Sequence, residues 1–543
     1  MSLPSTTQTP AGAPPTGVCR ADVISGFLVF LIALPLCLAI AVASNYPAIC
    51  GVWTAVLGGI ICTFLSNSQM TIKGPAAGMI VIVAGSVLAF KADLMAGGMS
   101  EADAMEGAYR MSLGVGVVAG IIQIIFGLVR AGVLADLFPI SAVHGLLASI
   151  GITIIFKQAY TMIGRKAPPG EPIEAILNFP GTIPDAIPDI AMIGVPSLII
   201  LFVVAMIRYK PIKKVPGPVF VLLFAIPMGL ILNVDKKFLV NIPDVLGLNG
   251  PAQKAFFFPD FSGIGTGTGI QYIILFSLIG SLESLLSAKA VDLLDPQKRK
   301  TNLNRDLLAV GVANTVGAAI GALPMISEIV RSSANINNGA RTRFANFFHG
   351  VFLLVSVLLF GAAIRLIPNA ALAAMLVFAG YRLAHPREFL KAFKIGPEQL
   401  LIFVTTIVVV LFTDLLIGIG AGLLMKLIIL FINSISPAAL FRCETTIENR
   451  KDDVDVVAVR GAVLFTNLLR LKARIAKLEA KQVILDVSRT TMIDHTSMEK
   501  LHELEMEFHQ AGRTLTVIGM EEHSPVSNHP LSARRKKSKA SAA

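Results

Sequence analysis

The fold is decided by Lys73-Gly-Pro-Ala-Ala-Gly-Met-Ile-Val-Ile-Val83, in which an apolar helix is predicted to start directly after a proline. The stretch Ala322-Leu-Pro-Met-Ile-Ser-Glu-Ile-Val-Arg331 repeats this arrangement in the second half of the chain. Counted along the apolar segments, the two stretches are the third and the tenth, which are equivalent positions in two halves of seven. Paired interrupted helices of this kind are typical of secondary transporters, whose binding site lies at the membrane midplane.

A helix that begins inside the membrane presents unpaired N–H groups and partial positive charge to whatever lies in front of it. Two such ends that face each other predict an anion site that needs few charged side chains. Two ordinary proline kinks, packed against neighbouring helices, are the alternative interpretation.

The chain is apolar over most of its length. Of its 543 residues 54% are hydrophobic and only 15% are charged, whereas soluble domains carry about 25% charged residues. Runs that cross or nearly cross a hydrocarbon core of about 30 Å are predicted at 23–43, 51–66, 76–91, 112–130, 137–157, 191–208, 216–233, 269–292, 306–322, 344–362, 368–383, 397–413 and 415–434. With a broken segment at 326–338, they make about fourteen elements.

Short basic blocks lie between the apolar runs, at 208–214, 298–305 and 382–394, in a chain with a net charge of +11. The positive-inside rule keeps such loops in the cytosol, and a cytosolic N-terminus places all three blocks there. We therefore expect a multi-pass protein of the cell's inner (plasma) membrane with both termini cytoplasmic. The lipid bilayer is its expected surrounding, and nucleic acid is not an expected partner.

Charged residues become dense after about Leu440, which predicts a domain boundary. Predicted strands at 454–460, 482–486 and 514–518 alternate with predicted helices at 468–478 and 497–511, as in a small α/β domain. We expect a disordered N-terminus at 1–20, a transmembrane transport domain at 21–436, a cytosolic α/β domain at 437–530 and a basic disordered tail at 531–543. No nucleophile–base constellation, P-loop or zinc-ligand spacing occurs in the sequence, so no enzyme, ATP-driven pump, metal site or organic cofactor is expected.

Several separated motifs resemble the sulfate permease (SulP) family of anion transporters. They are Asp22-Val-Ile-Ser-Gly-Phe, Ile32-Ala-Leu-Pro35, Gly280-Ser-Leu-Glu-Ser-Leu-Leu-Ser287 and the stretches 323–331 and 338–342. The C-terminal domain resembles the family's STAS domain through Val483-Ile-Leu-Asp486 and Met492-Ile-Asp-His-Thr496. The resemblance implies seven-plus-seven inverted repeats, a core domain that moves against a gate domain in an elevator-like way, and a homodimer. It is nearest to the family's bacterial sodium-coupled bicarbonate transporters, which implies symport of bicarbonate or sulfate.

The resemblance also implies a coupling-ion site. Glu283 lies midway along an apolar helix, where sodium-coupled members have an acidic residue, and Ser287 follows one turn later. These two residues, with Ser327, are the expected ligands of the coupling cation. Glutamate replaces the usual aspartate, so Na⁺ and H⁺ both stay open as the coupling ion. A protonated Glu283 bonded to a neighbouring helix is the alternative, because a charge there is costly.

The expected substrate site lies between the two interrupted helices. Ala76, Ala77 and Gly78 would contribute backbone N–H groups, and Arg331 matches an arginine that animal relatives place beside the anion. The facing residues are Ser327, Glu328 and Ile329. Glu328 stands where relatives have a small or hydroxyl residue, so it is expected either to be protonated when the anion binds or to pair with Arg331.

Three other functions stay open at this point. The related fold of nucleobase permeases holds a neutral base with acidic residues in both corresponding helices, as Glu283 and Glu328 would allow. A passive anion channel or exchanger would ignore Na⁺ and pH gradients. A regulatory membrane protein would depend on its STAS-like domain, where His495 interrupts the pair of hydroxyl residues that soluble relatives carry after this aspartate. Here we expect Thr496 or Ser497 to cap a helix, with phosphorylation as the alternative.

Overall fold

The computed structural model describes residues 18–133, 139–168, 171–207, 209, 215–247, 253–413, 415–433, 435–450 and 453–537. The chain divides into two compact units. The first comprises Met1–Gly132, Ile154–Pro169 and Ala175–Gly380, and the second comprises Val133–Thr153, Gly170–Glu174 and Tyr381–Ala543. The predicted disorder of 1–20 falls mostly outside the described residues, and the first helix begins at Arg20.

Helices account for most of the chain before residue 442. They are α1 (Arg20–Ala43), α2 (Ala48–Leu65), α3 (Ile80–Ala96), α4 (Glu101–Leu128), α5 (Ile140–Met162), α6 (Pro172–Thr182), α7 (Pro188–Met206), α8 (Gly217–Ile231), α9 (Gly267–Leu294), α10 (Leu303–Ile320), α11 (Ile329–Asn337), α12 (Phe344–Leu359), α13 (Gly361–Ile364), α14 (Asn369–Leu383), α15 (Pro386–Ile395), α16 (Pro397–Phe412), α17 (Leu415–Ile432) and α18 (Pro437–Phe441). Among the described residues, eight helices are long and apolar enough to cross a membrane, and three more apolar helices are shorter.

Local sequence signals start several of these helices. Ser100 caps α4, since its hydroxyl accepts a hydrogen bond from the Asp103 backbone N–H at 3.3 Å, and Glu101 and Asp103 suit the positive end of the helix dipole. Each of the thirteen predicted apolar runs overlaps a helix, so the polytopic helical fold is confirmed. Three helices were not predicted. Helix α6 contains a proline, the amphipathic α15 lies in a basic block, and α18 is only five residues long.

Short strands precede the two interrupted helices. Strand β1 (Ile72–Pro75) pairs antiparallel with β2 (Met325–Glu328), so that Ile72 lies opposite Glu328 and Pro75 opposite Met325. A single turn of 3-10 helix, Ala77–Met79, leads from β1 into α3, and α11 follows β2 directly. The helices therefore start a few residues later than the prolines predict. Because the pairing is antiparallel, α3 follows the Pro75–Met325 end of the strand pair and α11 follows the Ile72–Glu328 end, so the two helices begin at opposite ends of it.

The motifs at the start of α1 and after α11 also meet. The buried carboxylate of Asp22 accepts hydrogen bonds from the backbone N–H groups of Arg341 and Thr342 at 2.8 and 2.9 Å, and from the Thr342 hydroxyl at 2.6 Å. The Ser25 hydroxyl donates to Oδ1 of Asn335 at 2.7 Å. Segments more than 300 residues apart in the sequence are thus joined by buried polar contacts.

The second unit contains the C-terminal α/β domain. Its strands are β3 (Glu444–Arg450), β4 (Val454–Val463), β5 (Gln482–Asp486), β6 (Thr490–Ile493), β7 (Thr514–Ile518), β8 (His523–Pro525) and β9 (Arg534–Lys536), and its helices are α19 (Leu468–Ile475) and α20 (His495–Gln510). The sheet has the order β7-β5-β4-β6-β9-β8, with β3 paired to β4. Val457, Leu485, Leu471 and Phe508 belong to its apolar core. The predicted α/β domain is confirmed, although β3, β6, β8 and β9 were not predicted.

The last strand corrects the predicted tail. Arg534–Lys536 pairs antiparallel with β8 and with β6, so the ordered sheet continues past residue 531. The prediction of a basic disordered tail is therefore wrong up to residue 537. Strand pairing uses backbone groups, and the side chains of Arg535 and Lys536 stay exposed, which is why the charged composition concealed the strand. Residues 538–543 lie outside the described residues.

Candidate functional site

The predicted site lies in the first unit, where β1, β2 and α9 come together. Gly78 has no room for a side chain, because a Cβ there would collide with the Glu283 carboxyl group. Glu283 on α9 is thus brought against the turn between β1 and α3. Glu328 stands at the end of β2, and the Ala77 backbone N–H faces its carboxylate. The structure places Ala77, Gly78, Glu283 and Glu328 around one point.

Two carboxyl oxygens at this point are unsatisfied. Oε2 of Glu283 and Oε1 of Glu328 are buried, and neither has a hydrogen-bond partner in the described part of the chain. The two carboxyl groups are close enough for their charges to interact. Two like charges buried this close together are costly, so a proton, a cation or a hydrogen-bond donor is needed between them.

Arg331 lies at the same end of α11 and is 1% exposed. Its Nη1 donates to the Cys37 sulfur at 3.4 Å, and a Cβ at Gly74 would collide with that nitrogen. Arg331 Nε and Glu328 Oε1 lack hydrogen-bond partners among the described residues, so the hydrogen-bonded Glu328–Arg331 pair that the sequence allowed is not formed. The arginine charge still acts on Glu328 through space.

The other residues predicted for the site differ in their burial and contacts. Ala76 and Ser327 are buried, whereas Ile329 is 42% exposed. Ser287 is buried one turn beyond Glu283 on α9. The α9 residue that contacts Ser327 is Ser284, whose hydroxyl lies 3.3 Å from the Ser327 hydroxyl and accepts the Ser327 backbone N–H at 3.2 Å.

A buried ion pair beside the site was not predicted. Lys73 Nζ lies 2.7 and 2.8 Å from the two carboxylate oxygens of Asp306, and each side chain is 1% exposed. The ammonium also donates to the Ser327 hydroxyl at 2.5 Å. Ser327 in turn donates to Asp306 Oδ2 at 3.2 Å, and the Ser66 hydroxyl donates to Asp306 Oδ1 at 2.5 Å. Ser327, expected to bind a coupling cation, is therefore held by this network.

The sequence does contain a signal for this pair. Lys73 lies just before the apolar run 76–91, and Asp306 begins the apolar run 306–322. A charge buried in a membrane domain is nearly always paired with an opposite charge. The sequence interpretation assigned no role to Lys73 or Asp306. Nothing in their local patterns connects two positions 233 residues apart.

The second unit holds the STAS-like residues. Asp494 is the N-cap of α20, since its Oδ1 accepts the Ser497 backbone N–H at 2.8 Å. The prediction that Thr496 or Ser497 caps the helix is wrong, because both residues already lie within α20. Their hydroxyls are buried and have no hydrogen-bond partner within the described residues. Lys426 of α17 reaches Asp494 Oδ2 at 3.3 Å, with the two side chains 2% and 0% exposed.

The model of the sulfate permease family matches residues 19–406. The putative sulfate transporter YvdB of Bacillus subtilis is 23% identical over 510 residues, which are 92% of this chain and 91% of that protein. The bicarbonate transporter BicA of Picosynechococcus is 27% identical over 410 residues, covering 74% of this chain and 68% of BicA. The bovine sodium-independent sulfate anion transporter is 24% identical, covering 92% and 84%.

Solved structures share the fold. The transmembrane domain of a cyanobacterial BicA superposes with a TM-score of 0.62 at 22% identity, covering 74% of this chain and 97% of that domain. The murine solute carrier 26 family member A9 anion transporter, in its inward-facing state, gives a TM-score of 0.66 at 15% identity and covers 93% of this chain. The expected resemblance to the sulfate permease family is confirmed. The relatives are transporters, as expected for a chain that is not an enzyme.

Proposed function

Because the chain belongs to the sulfate permease family, a family of membrane transporters, we propose that it is a secondary active transporter of small inorganic oxyanions, either bicarbonate or sulfate. The observation that carries the proposal is the antiparallel β1–β2 pairing, which joins the two segments that lead into α3 and α11 next to the buried Arg331. The names of the relatives, a bicarbonate transporter and sulfate transporters, agree with this substrate class.

The anion would bind between the two helix starts. Backbone N–H groups of Ala76, Ala77 and Gly78 would face it from one side, and Ser327, Ile329 and Arg331 from the other. Each helix start offers about half a unit of positive charge, and Arg331 adds a full one. Glu328 subtracts a charge unless it is protonated, so the site should become more attractive to an anion as Glu328 takes up a proton.

Coupling would involve the cation Na⁺ or H⁺ at Glu283. The unsatisfied oxygens of Glu283 and Glu328 support this role, because both call for a positive partner. Na⁺ would be bound by Glu283, Ser287 and Ser327. A proton would need only the carboxyl groups of Glu283 and Glu328. The transporter would accumulate its substrate by symport with whichever ion binds there.

The wider arrangement is part of the same proposal. The hydrogen-bonded strands support an elevator-like motion, because they let both helix starts travel as one piece against the gate. The basic loops support a plasma-membrane location with both termini cytoplasmic. The homodimer implied by the family resemblance belongs to the proposal, and chemical cross-linking of the purified protein would detect it as a species of twice the mass.

A nucleobase is the second candidate substrate. Buried, unsatisfied carboxyl oxygens on both sides of the site would accept N–H groups of a neutral base. Uptake of labelled sulfate, bicarbonate and uracil into proteoliposomes, with Na⁺ and pH gradients imposed separately, decides among the functions. Gradient-driven uptake of an oxyanion supports the proposal, uptake of uracil alone selects the nucleobase, and fluxes that ignore both gradients select a channel or exchanger.

Matched variants test the two carboxyl groups. Glu283→Gln should abolish gradient-driven accumulation, since the amide keeps the shape but cannot titrate. Sulfate uptake should rise at lower external pH, and Glu328→Gln should flatten that dependence. Glu101→Gln is the control, because Glu101 is exposed and pairs with Lys91 away from the site. A Glu328→Gln profile that follows the parent would remove Glu328 from the proton-linked step.

A further inference from the structure

The Lys73 ammonium is saturated by its neighbours. An ammonium group has three N–H donors, and those of Lys73 are directed at Asp306 Oδ1, Asp306 Oδ2 and the Ser327 hydroxyl, at 2.7, 2.8 and 2.5 Å. The side chain is 1% exposed, and its carboxylate partner is equally buried. The positive charge is therefore fixed in place by a covalent tether, a counter-ion and a hydroxyl.

The Ser327 hydroxyl is saturated as well. A hydroxyl has one donor and two acceptor sites. It donates to Asp306 Oδ2 at 3.2 Å, accepts the Lys73 ammonium, and lies 3.3 Å from the Ser284 hydroxyl, which fills its second acceptor site. A hard cation binds oxygen at about 2.5 Å, so a cation on this oxygen would come within about 5 Å of the Lys73 charge. Both coordination and charge repulsion oppose a second cation there.

We infer that the Lys73 ammonium occupies the role of a coupling sodium ion at Ser327, so that transport by this protein does not require Na⁺. The inference rests on the proposed function and narrows its coupling ion. Ser327 and Ser284 are then positioning residues that hold β2 against α9 through a resident cation. Protons remain for the coupling step, at the two unsatisfied carboxyl groups of Glu283 and Glu328.

Replacing Lys73 should convert the protein to sodium dependence. Lys73→Ala removes the ammonium and leaves the oxygens of Asp306, Ser327, Ser66 and Ser284 around the vacated space, a set that suits a hard cation. Sodium should raise the sulfate uptake of this variant, relative to equimolar choline, by about tenfold or more, within the range of ordinary ligand coupling. It should also raise the melting temperature of the purified variant. The parent protein should show neither response.

Lys73→Met is the matched control. The methionine also lacks the charge, but its length fills the vacated space, so Na⁺ should leave its uptake and melting temperature unchanged. A parent protein whose uptake falls about tenfold in choline, or a folded Lys73→Ala variant that ignores Na⁺, overturns the inference. If Lys73→Ala does not fold, the sodium response of the parent decides: independence supports the inference and dependence overturns it.

Failure of the proposed function gives a different result. A parent protein that takes up no oxyanion under any gradient contradicts oxyanion transport, whereas the melting temperatures still report sodium binding. The contrast between Lys73→Ala and Lys73→Met in the presence of Na⁺ then tests the resident cation by itself.

Discussion

Each unit of the molecule contains one buried lysine–aspartate pair, and the two pairs differ in what the aspartate does. Asp306 gives its oxygens to the Lys73 ammonium and to the hydroxyls of Ser66 and Ser327. Asp494 gives its oxygens to backbone N–H groups, those of Ser497 at 2.8 Å and Phe465 at 3.3 Å, and Lys426 approaches at 3.3 Å. Lys73 therefore makes the main contacts of Asp306, whereas Lys426 approaches an Asp494 that already accepts two backbone hydrogen bonds.

The difference shows that burial and charge alone do not determine how much an ion pair contributes to stability. Both pairs are almost fully hidden from water. Without Lys73, the buried Asp306 carboxylate loses the one counter-ion that the described residues provide, inside a membrane domain. Without Lys426, Asp494 keeps two N–H donors and the positive end of the α20 dipole. We therefore expect the two lysines to differ strongly when each is replaced.

The largest effect is expected from Lys73→Met. Breaking one partner of a buried ion pair costs about 3–5 kcal/mol, so thermal unfolding of the detergent-purified protein should shift down markedly, and anion uptake should fall without becoming dependent on Na⁺. The double variant Lys73→Met/Asp306→Leu should recover most of the stability, because removing both charges is close to neutral. A single variant as stable as the parent would show that Asp306 needs no counter-ion.

Lys426→Met should cost less, about 1–2 kcal/mol. The cap of α20 stays satisfied by backbone groups, so the domain should keep its fold and the protein its uptake. The same unfolding measurement applies, with Lys91→Met as a control in which the lysine is 18% exposed and its carboxylate partner Glu101 lies on the surface. Equal losses for Lys426→Met and Lys73→Met would erase the distinction between the two pairs.

A pH dependence should appear beside the second pair. Burial lowers the pKa of His495, against the opposing influence of the Leu531 carbonyl and the charges of Glu499 and Asp494, and Lys426 lowers it further. The unfolded state then binds a proton that the folded state does not, so stability should fall as the pH drops below about 6.5, with a slope of at most about 1.4 kcal/mol per pH unit. His495→Gln should flatten this part of the unfolding profile. An unchanged profile in that variant would assign the slope to other groups.

The smallest effect is expected at Thr496 and Ser497. Their hydroxyls have no hydrogen-bond partner in the described structure, so Thr496→Val and Ser497→Ala, which remove them, should each change the free energy of unfolding by less than about 1 kcal/mol. Asp494→Ala removes the cap itself and should cost more than either, by about 1 kcal/mol or more. A reversed order would return the capping role to the hydroxyl residues.

The sequence was informative where proline, glycine and apolar spacing determine the backbone. Pro75 and Pro324 predicted two interrupted helices at matching positions, and the structure places both there, each behind a strand. Four-residue strands were missed because so short an apolar run carries no period. Ser327 was predicted as an ion ligand, but its lone pairs are taken by a lysine 254 positions away. Asp494 was not predicted as the cap, because Asp, Ser and Thr are all favoured at the N-cap and residue type alone does not choose among three neighbouring positions.

The distance between Lys73 and Asp306 along the chain has a consequence for how the protein is made. A ribosome that adds about 5–20 residues per second completes Asp306 roughly 12 to 47 seconds after Lys73, because 233 positions separate them. Throughout that interval the lysine has no counter-ion, and placing it alone in the hydrocarbon costs about 2.5–3.5 kcal/mol. The first half of the chain must therefore wait with Lys73 in a hydrated place. The pairing of β1 with β2 is therefore a late event of biogenesis, because it needs the second half of the chain.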